Sequence, residues 1–360
     1  MKITQSLTIA VTALLACGFV YSDEIQSFVK PTNSRQDQNP SHAEQFAQAD
    51  AAAKPAAAEN AKSGAPGAEE RKSDEIFASV MEKLRGYTSV RAKISEKLAM
   101  QSNLSKQTFR FGATGEYLQG QNLKLKMSIE VKLTADLTGK LKEVCDGELL
   151  WSSYELGGKD KAEITRRDVR QILKALNDVQ QSARIPAGDK ALQQAGMIGT
   201  LGLGGLPALL AGIEKDFEFQ KVTSEKIDDR EVVTLDGTWN SKFLEAMNGN
   251  KKVKKGKAAE PLPPNVPDVI RISFDKETEF PRRIEYLKRT VGQAALSSLM
   301  VLDLTDPKFN ERLSRDEFVF FVPNDAKPRD DTQLYLQRIA SVKGAQQGAG
   351  AEKKAPAKAE

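Results

Sequence analysis

The sequence predicts an α+β fold, with one large antiparallel sheet and helices gathered on one of its faces. Three observations predict it. Val269–Tyr286 reads as a hairpin: Val269, Ile272 and Phe274 on one strand, a polar turn over Asp275–Glu279, then Ile284 and Tyr286 on the returning strand. Leu123, Leu125, Met127, Ile129, Val131 and Leu133 alternate with Lys124, Lys126, Glu130 and Lys132. One aliphatic and one wet face belong in an antiparallel sheet hydrated on one side. Finally, the elements run helix, many strands, helices, more strands, without the regular alternation of a parallel sheet.

The elements follow in order. Ser73 suits an N-cap, Asp74 and Glu75 a first turn, and Ile76, Phe77, Val80 and Leu84 form one apolar stripe before Gly86. Strands are expected over Val90–Met100 (Val90, Ala92, Ile94, Leu98 alternating), Thr108–Ala113 and Leu123–Leu133. Lys140–Cys145 and Glu148–Tyr154 flank Asp146-Gly147, a strong hairpin signal. A strand near Ala162–Thr165 precedes a helix over Asp168–Ala183. Leu192–Ile213 is apolar and glycine-rich, with no charge from Gly196 to Ile213 just before the Glu214-Lys215 pair. Strands are expected again at Phe217–Val222 and Arg230–Trp239, and a short helix at Ser241–Met247. After the Val269–Tyr286 hairpin come strands at Ala295–Leu304 and Glu317–Val322, and a closing helix at Asp331–Ala340.

The ends of the chain do not read as globular. Lys2 followed by an uncharged run to Ala16 reads as a secretory signal over residues 1–22, too short in its apolar part for a typical membrane span. Cleavage after Val20-Tyr21-Ser22, a lipobox-like Leu14-Leu15-Ala16-Cys17 with lipidation at Cys17, and an uncleaved anchor are the three readings. All of them place the body outside the cytoplasm, in the periplasm or cell envelope. Residues 23–72 and 344–360 are nearly free of large apolar side chains and read as a disordered tether and tail around one domain, 73–343.

Composition excludes several chemistries. The chain has one histidine, His42, in the tether, so a Ser/His/Asp, Cys/His or histidine-metal centre in the body is excluded. Cys17 and Cys145 make no disulfide framework, and Cys145 reads as a core thiol. Asp228-Asp229 and Asp330-Asp331 sit at turn or cap positions. Gly199, Gly202, Gly204 and Gly205 lack the strand and Lys-Ser/Thr context of a phosphate loop. A net charge of +4 gives no case for nucleic acid. The lysine run Lys251, Lys252, Lys254, Lys255 and Lys257 is either a solvated loop or a contact for anionic headgroups. No cofactor and no metal are expected.

Four stretches together resemble the LolA family of periplasmic lipoprotein carriers: Cys145–Trp151 (CDGELLW), Val269–Tyr286, Leu302–Pro323, and the first helix with its following strand. The resemblance implies a curved antiparallel sheet forming an unclosed β-barrel, helices as a lid on its concave face, and an apolar cavity for acyl chains of lipoproteins or lipids. Where the family carries a lid-latching arginine on an early strand, the matching stretch Gly120–Met127 offers Lys124. The expected cavity residues are Leu123, Leu125, Met127, Ile129, Val131, Trp151, Leu201, Leu206, Leu209 and Leu210, the last four from Met197–Ile213, which reads equally as a lid or as an ordinary buried helix pair; the Leu123–Leu133 aliphatics read equally as facing the first helix, and Trp151 as plain core. The expected function is therefore an exported, non-enzymatic acyl-chain carrier, with inner- or outer-membrane proteins as further partners. The alternative is an envelope-tethered sensor or interaction module that binds a protein partner with the same fold.

Overall fold

The computed structural model describes residues 72–101, 108–133, 137–157, 162–182, 204–247, 262–289 and 295–340. All belong to one of two compact units of the chain; the other, Tyr21–Arg71, lies outside the described residues. The signal, the tether with His42, the tail, Cys17, Leu201 and the lysine run lie outside them too.

Twelve strands form one sheet: β1 Ser89–Gln101, β2 Thr108–Gly120, β3 Leu125–Lys132, β4 Thr138–Cys145, β5 Leu149–Leu156, β6 Glu163–Asp168, β7 Phe217–Ile227, β8 Arg230–Trp239, β9 Val269–Asp275, β10 Pro281–Arg289, β11 Leu296–Phe309 and β12 Arg329–Asp330. Their order is β12-β6-β5-β4-β3-β2-β1-β11-β10-β9-β8-β7. Every pairing is antiparallel except β12 with β6. β12 and β7 are separate edges, so the sheet is not closed. Among the described residues the helices are α1 Ser73–Gly86, α2 Val169–Ser182, α3 Gly205–Asp216, α4 Ser241–Met247 and α5, residues 332–340.

Period-two alternation sorts the sheet into two unlike faces. One cross-strand row reads Val222, Leu235, Ile272, Ile284, Leu302, Glu96, Ala113, Val131, Gly139, Leu156. The adjacent row, on the other face, reads Thr234, Ser273, Arg283, Asp303, Ser95, Thr114, Glu130, Lys140, Glu155. The first face is apolar and carries the main core, which takes in Ile76, Phe77, Val80 and Leu84 of α1, Val169, Ile172 and Leu176 of α2, and Leu206, Leu210 and Ile213 of α3. The second is wet and laced by pairs such as Arg271–Asp236 and Arg283–Asp303.

The inner face bends around its helices. α3 begins beside β2, where Leu206 N donates to the Tyr117 hydroxyl at 2.9 Å, and runs directly into β7. Twelve helical residues reach about 18 Å. From β2 to β7 there are six strand steps, about 29 Å in a flat sheet. A helix can join the two only if the sheet curls toward it.

Turn chemistry closes the hairpins where the sequence places it. Asp228 and Asp229 are both left-handed (φ 48° and 63°), the two-residue turn that matches strand twist. Asp146 accepts from Glu148 N and Leu149 N, both at 2.8 Å, and Gly147 takes φ +100°. Asp275 accepts from Glu277 N, Thr278 N and the Thr278 hydroxyl. Burial alone would raise its carboxyl, but those donors hold it below the ordinary carboxylate value.

Three expectations are corrected. α1 is capped at Lys72 rather than Ser73, whose hydroxyl instead donates to Phe219 O at 3.3 Å. β3 begins at Leu125, because Asn122 and Leu123 form a left-handed turn (φ 57° and 62°). Glu317–Val322 is not a strand: a 3-10 turn over Arg315–Phe318, with a Ser314–Glu317 capping box, leads into irregular backbone. Its alternating aromatics strap the outer face instead of joining the ladder. Phe318 packs with Leu118 and Val144, and Phe320 stacks on Trp151 with centroids 5.5 Å apart.

Candidate functional site

The apolar face of β3 and the start of α3, which is tied to β2 through Tyr117, carry most of the expected cavity residues. Leu125, Ile129 and Val131 are buried on that face and Met127 is half-buried beside them. From α3, Leu206 and Leu210 are buried and Leu209 is half-buried against the same core. Leu123, in the β2–β3 turn, lies at its rim. There a cleft of about 410 Å³ opens, bounded by Leu84, Arg85, Tyr87, Gln119–Leu125, Gly204, Gly205 and Pro207. That volume lies within the ~300–1,000 Å³ of small-molecule sites. At the far end of β1 and β2 the apolar face runs on into Phe109, which is 46% exposed and stacks on Phe111.

Trp151 leaves this set. The pairings Leu125↔Cys145↔Leu150 put Leu150 on the inner face, so its neighbour Trp151 points outward to Phe320. Leu149-Leu150-Trp151 is a continuous apolar run, and alternation inside such a run does not declare which parity faces in.

The lid contact is also not where the family pattern would put it. Lys124 sits over the Phe318 ring on the strap, 5.8 Å from its centroid. The bond joining α3 to the sheet comes from Tyr117, whose buried hydroxyl accepts from Leu206 N and donates to Gln119 Oε1. Burial drives this phenol far above its ordinary value, so it stays a neutral donor and acceptor. Gly204 (φ +90°) and Gly205 (φ +62°) make the approach possible. A Cβ on Gly205 would lie 2.4 Å from the Tyr117 oxygen. The glycines are therefore a close-approach device for the helix start.

Sequence reasoning also missed Glu96. It falls on the apolar parity of β1, between Ile94 and Leu98, and is 2% exposed. Its Oε1 is buried without a hydrogen-bond partner, as is the Tyr154 hydroxyl on the same face of β5. Burial pushes the Glu96 carboxyl up to about 9. The signal was present: a carboxylate in phase with Val90, Ala92, Ile94 and Leu98.

Cys145 and Asp330, two candidates the sequence offers, sit in structural surroundings. Cys145 is buried and its thiol is pushed up to about 11, chiefly by burial, the reverse of what a thiolate nucleophile needs. Asp330 accepts from Thr332 N at 3.0 Å and pairs with Arg166 at 2.8 Å.

No protein-family model matches the chain, and no curated protein matches it in sequence. The unclosed sheet with helices is the architecture that the sequence resemblance to the LolA family implies. Solved structures similar to it include the lipoprotein LppX of Mycobacterium tuberculosis, 12% identical over 68% of this chain and 100% of that one, with a TM-score of 0.33. LprF of Mycobacterium bovis is 12% identical over 70% and 96%, TM-score 0.31. The LolA superfamily protein NE2245 of Nitrosomonas europaea is 12% identical over 68% and 97%, TM-score 0.21. These likenesses say nothing of this chain's ligand or activity.

Proposed function

We propose that this chain is an exported, non-enzymatic carrier in the cell envelope, holding acyl chains of lipids or lipoproteins against the inner face of its half-barrel. The observation that carries the reading is the largely aliphatic wall of the sheet, interrupted by Glu96, with a cleft at one rim and an exposed aromatic edge at the other. Each CH₂ kept out of water is worth about 0.8 kcal/mol. A carrier of hydrocarbon therefore needs shelter and no catalyst, and Val131, Ile129, Leu125 and Leu210 supply shelter. Native mass spectrometry of protein purified from its own envelope tests this. Masses of bound acyl species are expected; apo protein alone counts against carriage.

A second reading is a module for a protein partner, favoured by Phe321 (77% exposed) and Val319 (41% exposed) on the outer strap. A shuttle must leave the membrane, whereas a tethered module stays. Metabolic labelling with a fatty-acid precursor, compared between wild type and Cys17→Ala, separates the two: label lost in the variant favours the module, and unlabelled wild type favours the shuttle.

A further inference from the structure

The geometry points to Glu96 as the polar contact for cargo on the inner wall: a neutral carboxylic acid that donates a hydrogen bond to the ester or amide carbonyl of a bound acyl chain. This rests on the carrier reading above and specifies its ligand chemistry. Glu96 lies on β1, seventh of the twelve strands counted from β12, so it is central in the sheet. Its cross-strand neighbours on the inner face are Ala113 and Leu302, flanked by Val131 and Ile284, and along its own strand come Ile94 and Leu98. None of these can hydrogen-bond it through a side chain, and among the described residues its Oε1 has no partner.

A buried carboxyl left so is costly in a wall otherwise built of aliphatics, since it has given up its hydrogen bonds to water without replacing them. Leucine in its place would complete the row. What the carboxyl offers that leucine does not is a hydrogen bond to an atom brought in from outside. With burial as the cause of its raised titration and no charged partner acting on it, the group stays protonated at neutral pH. It then presents an O–H to a guest. A hydrocarbon tail has no use for that bond; an acyl carbonyl at the tail's head does.

The test is competitive displacement of a fluorescent fatty acid from the full-length protein by methyl palmitate and, separately, by hexadecane. Wild type, Glu96→Leu and Glu96→Gln are compared. In Glu96→Leu, the methyl palmitate concentration for half-displacement is expected to rise roughly three- to ten-fold, what one net hydrogen bond is worth. The hexadecane value should stay level or fall. Glu96→Gln, whose amide still donates, should keep most of the wild-type value. If Glu96→Leu moves both competitors equally, or neither, the carbonyl contact is wrong while carriage stands; a buried water then satisfies Glu96. If the probe does not bind wild type at all, the carrier reading fails and this inference falls with it.

Discussion

Two buried polar side chains set the behaviour of the inner face, and each makes a prediction of its own. Glu96 titrates near 9 in the fold against an ordinary 4.5. Its folded value is raised, so the unfolded chain gives up the proton first. Stability is greatest below about pH 4.5, falls as pH rises, and levels off only above about 9. At pH 7 the ionisation of the unfolded chain has lowered the stability of the fold by about 3 kcal/mol from its value in acid. Glu96→Leu should therefore be more stable than wild type at pH 7, by an amount that shrinks toward pH 4, in urea titrations run across that range. An equal gain at both pH values would mean that the carboxyl is not held neutral.

Tyr117 works the other way. Tyr117→Phe leaves the Leu206 N–H without its acceptor and should cost about 1–2 kcal/mol. Gly205→Ala should cost at least as much, because its Cβ would collide with the Tyr117 oxygen at a left-handed backbone position. Hydrogen exchange should report both changes first as loss of protection in the first turn of α3. Uniform loss across the sheet would deny that this contact is local.

At the level of elements, much was legible. Ser241–Met247 is helical over those bounds, and β1, β8 and the Val269–Tyr286 hairpin stand within a few residues of their expected limits. In each, alternation or a capped stripe is clean. What misled was apolar sequence whose period carried no orientation. Leu149-Leu150-Trp151 did not tell inside from outside, and the Phe318–Phe320 alternation described a strap, not a strand. Nor could local pattern announce a helix tied to a strand 89 positions away by one hydroxyl. The faces make a sharp contrast testable. Trp151→Ala, losing the Phe320 stack, should destabilise the protein by about 1–3 kcal/mol yet leave fatty-acid affinity unchanged. Met127→Lys, on the half-buried inner face, should lower that affinity at least ten-fold. Equal effects on affinity would contradict the assignment of the faces.

At the scale of the molecule, the order of strands and the reach of α3 make a sheet that curls without closing, which provides one apolar interior and two free edges. The resemblance to the LolA family rests on four degenerate stretches, because strand pattern and turn residues are what those stretches encode. The unpartnered carboxyl in the wall was not, because its meaning depends on nine other strands agreeing on a face. The most direct test of the account is equilibrium titration of the delipidated full-length protein with a fluorescent fatty acid. Saturable, displaceable binding with one or a few sites, blue-shifted emission and a dissociation constant in the micromolar range or tighter is the predicted result. Emission that stays at its aqueous value up to the solubility limit of the probe would contradict it.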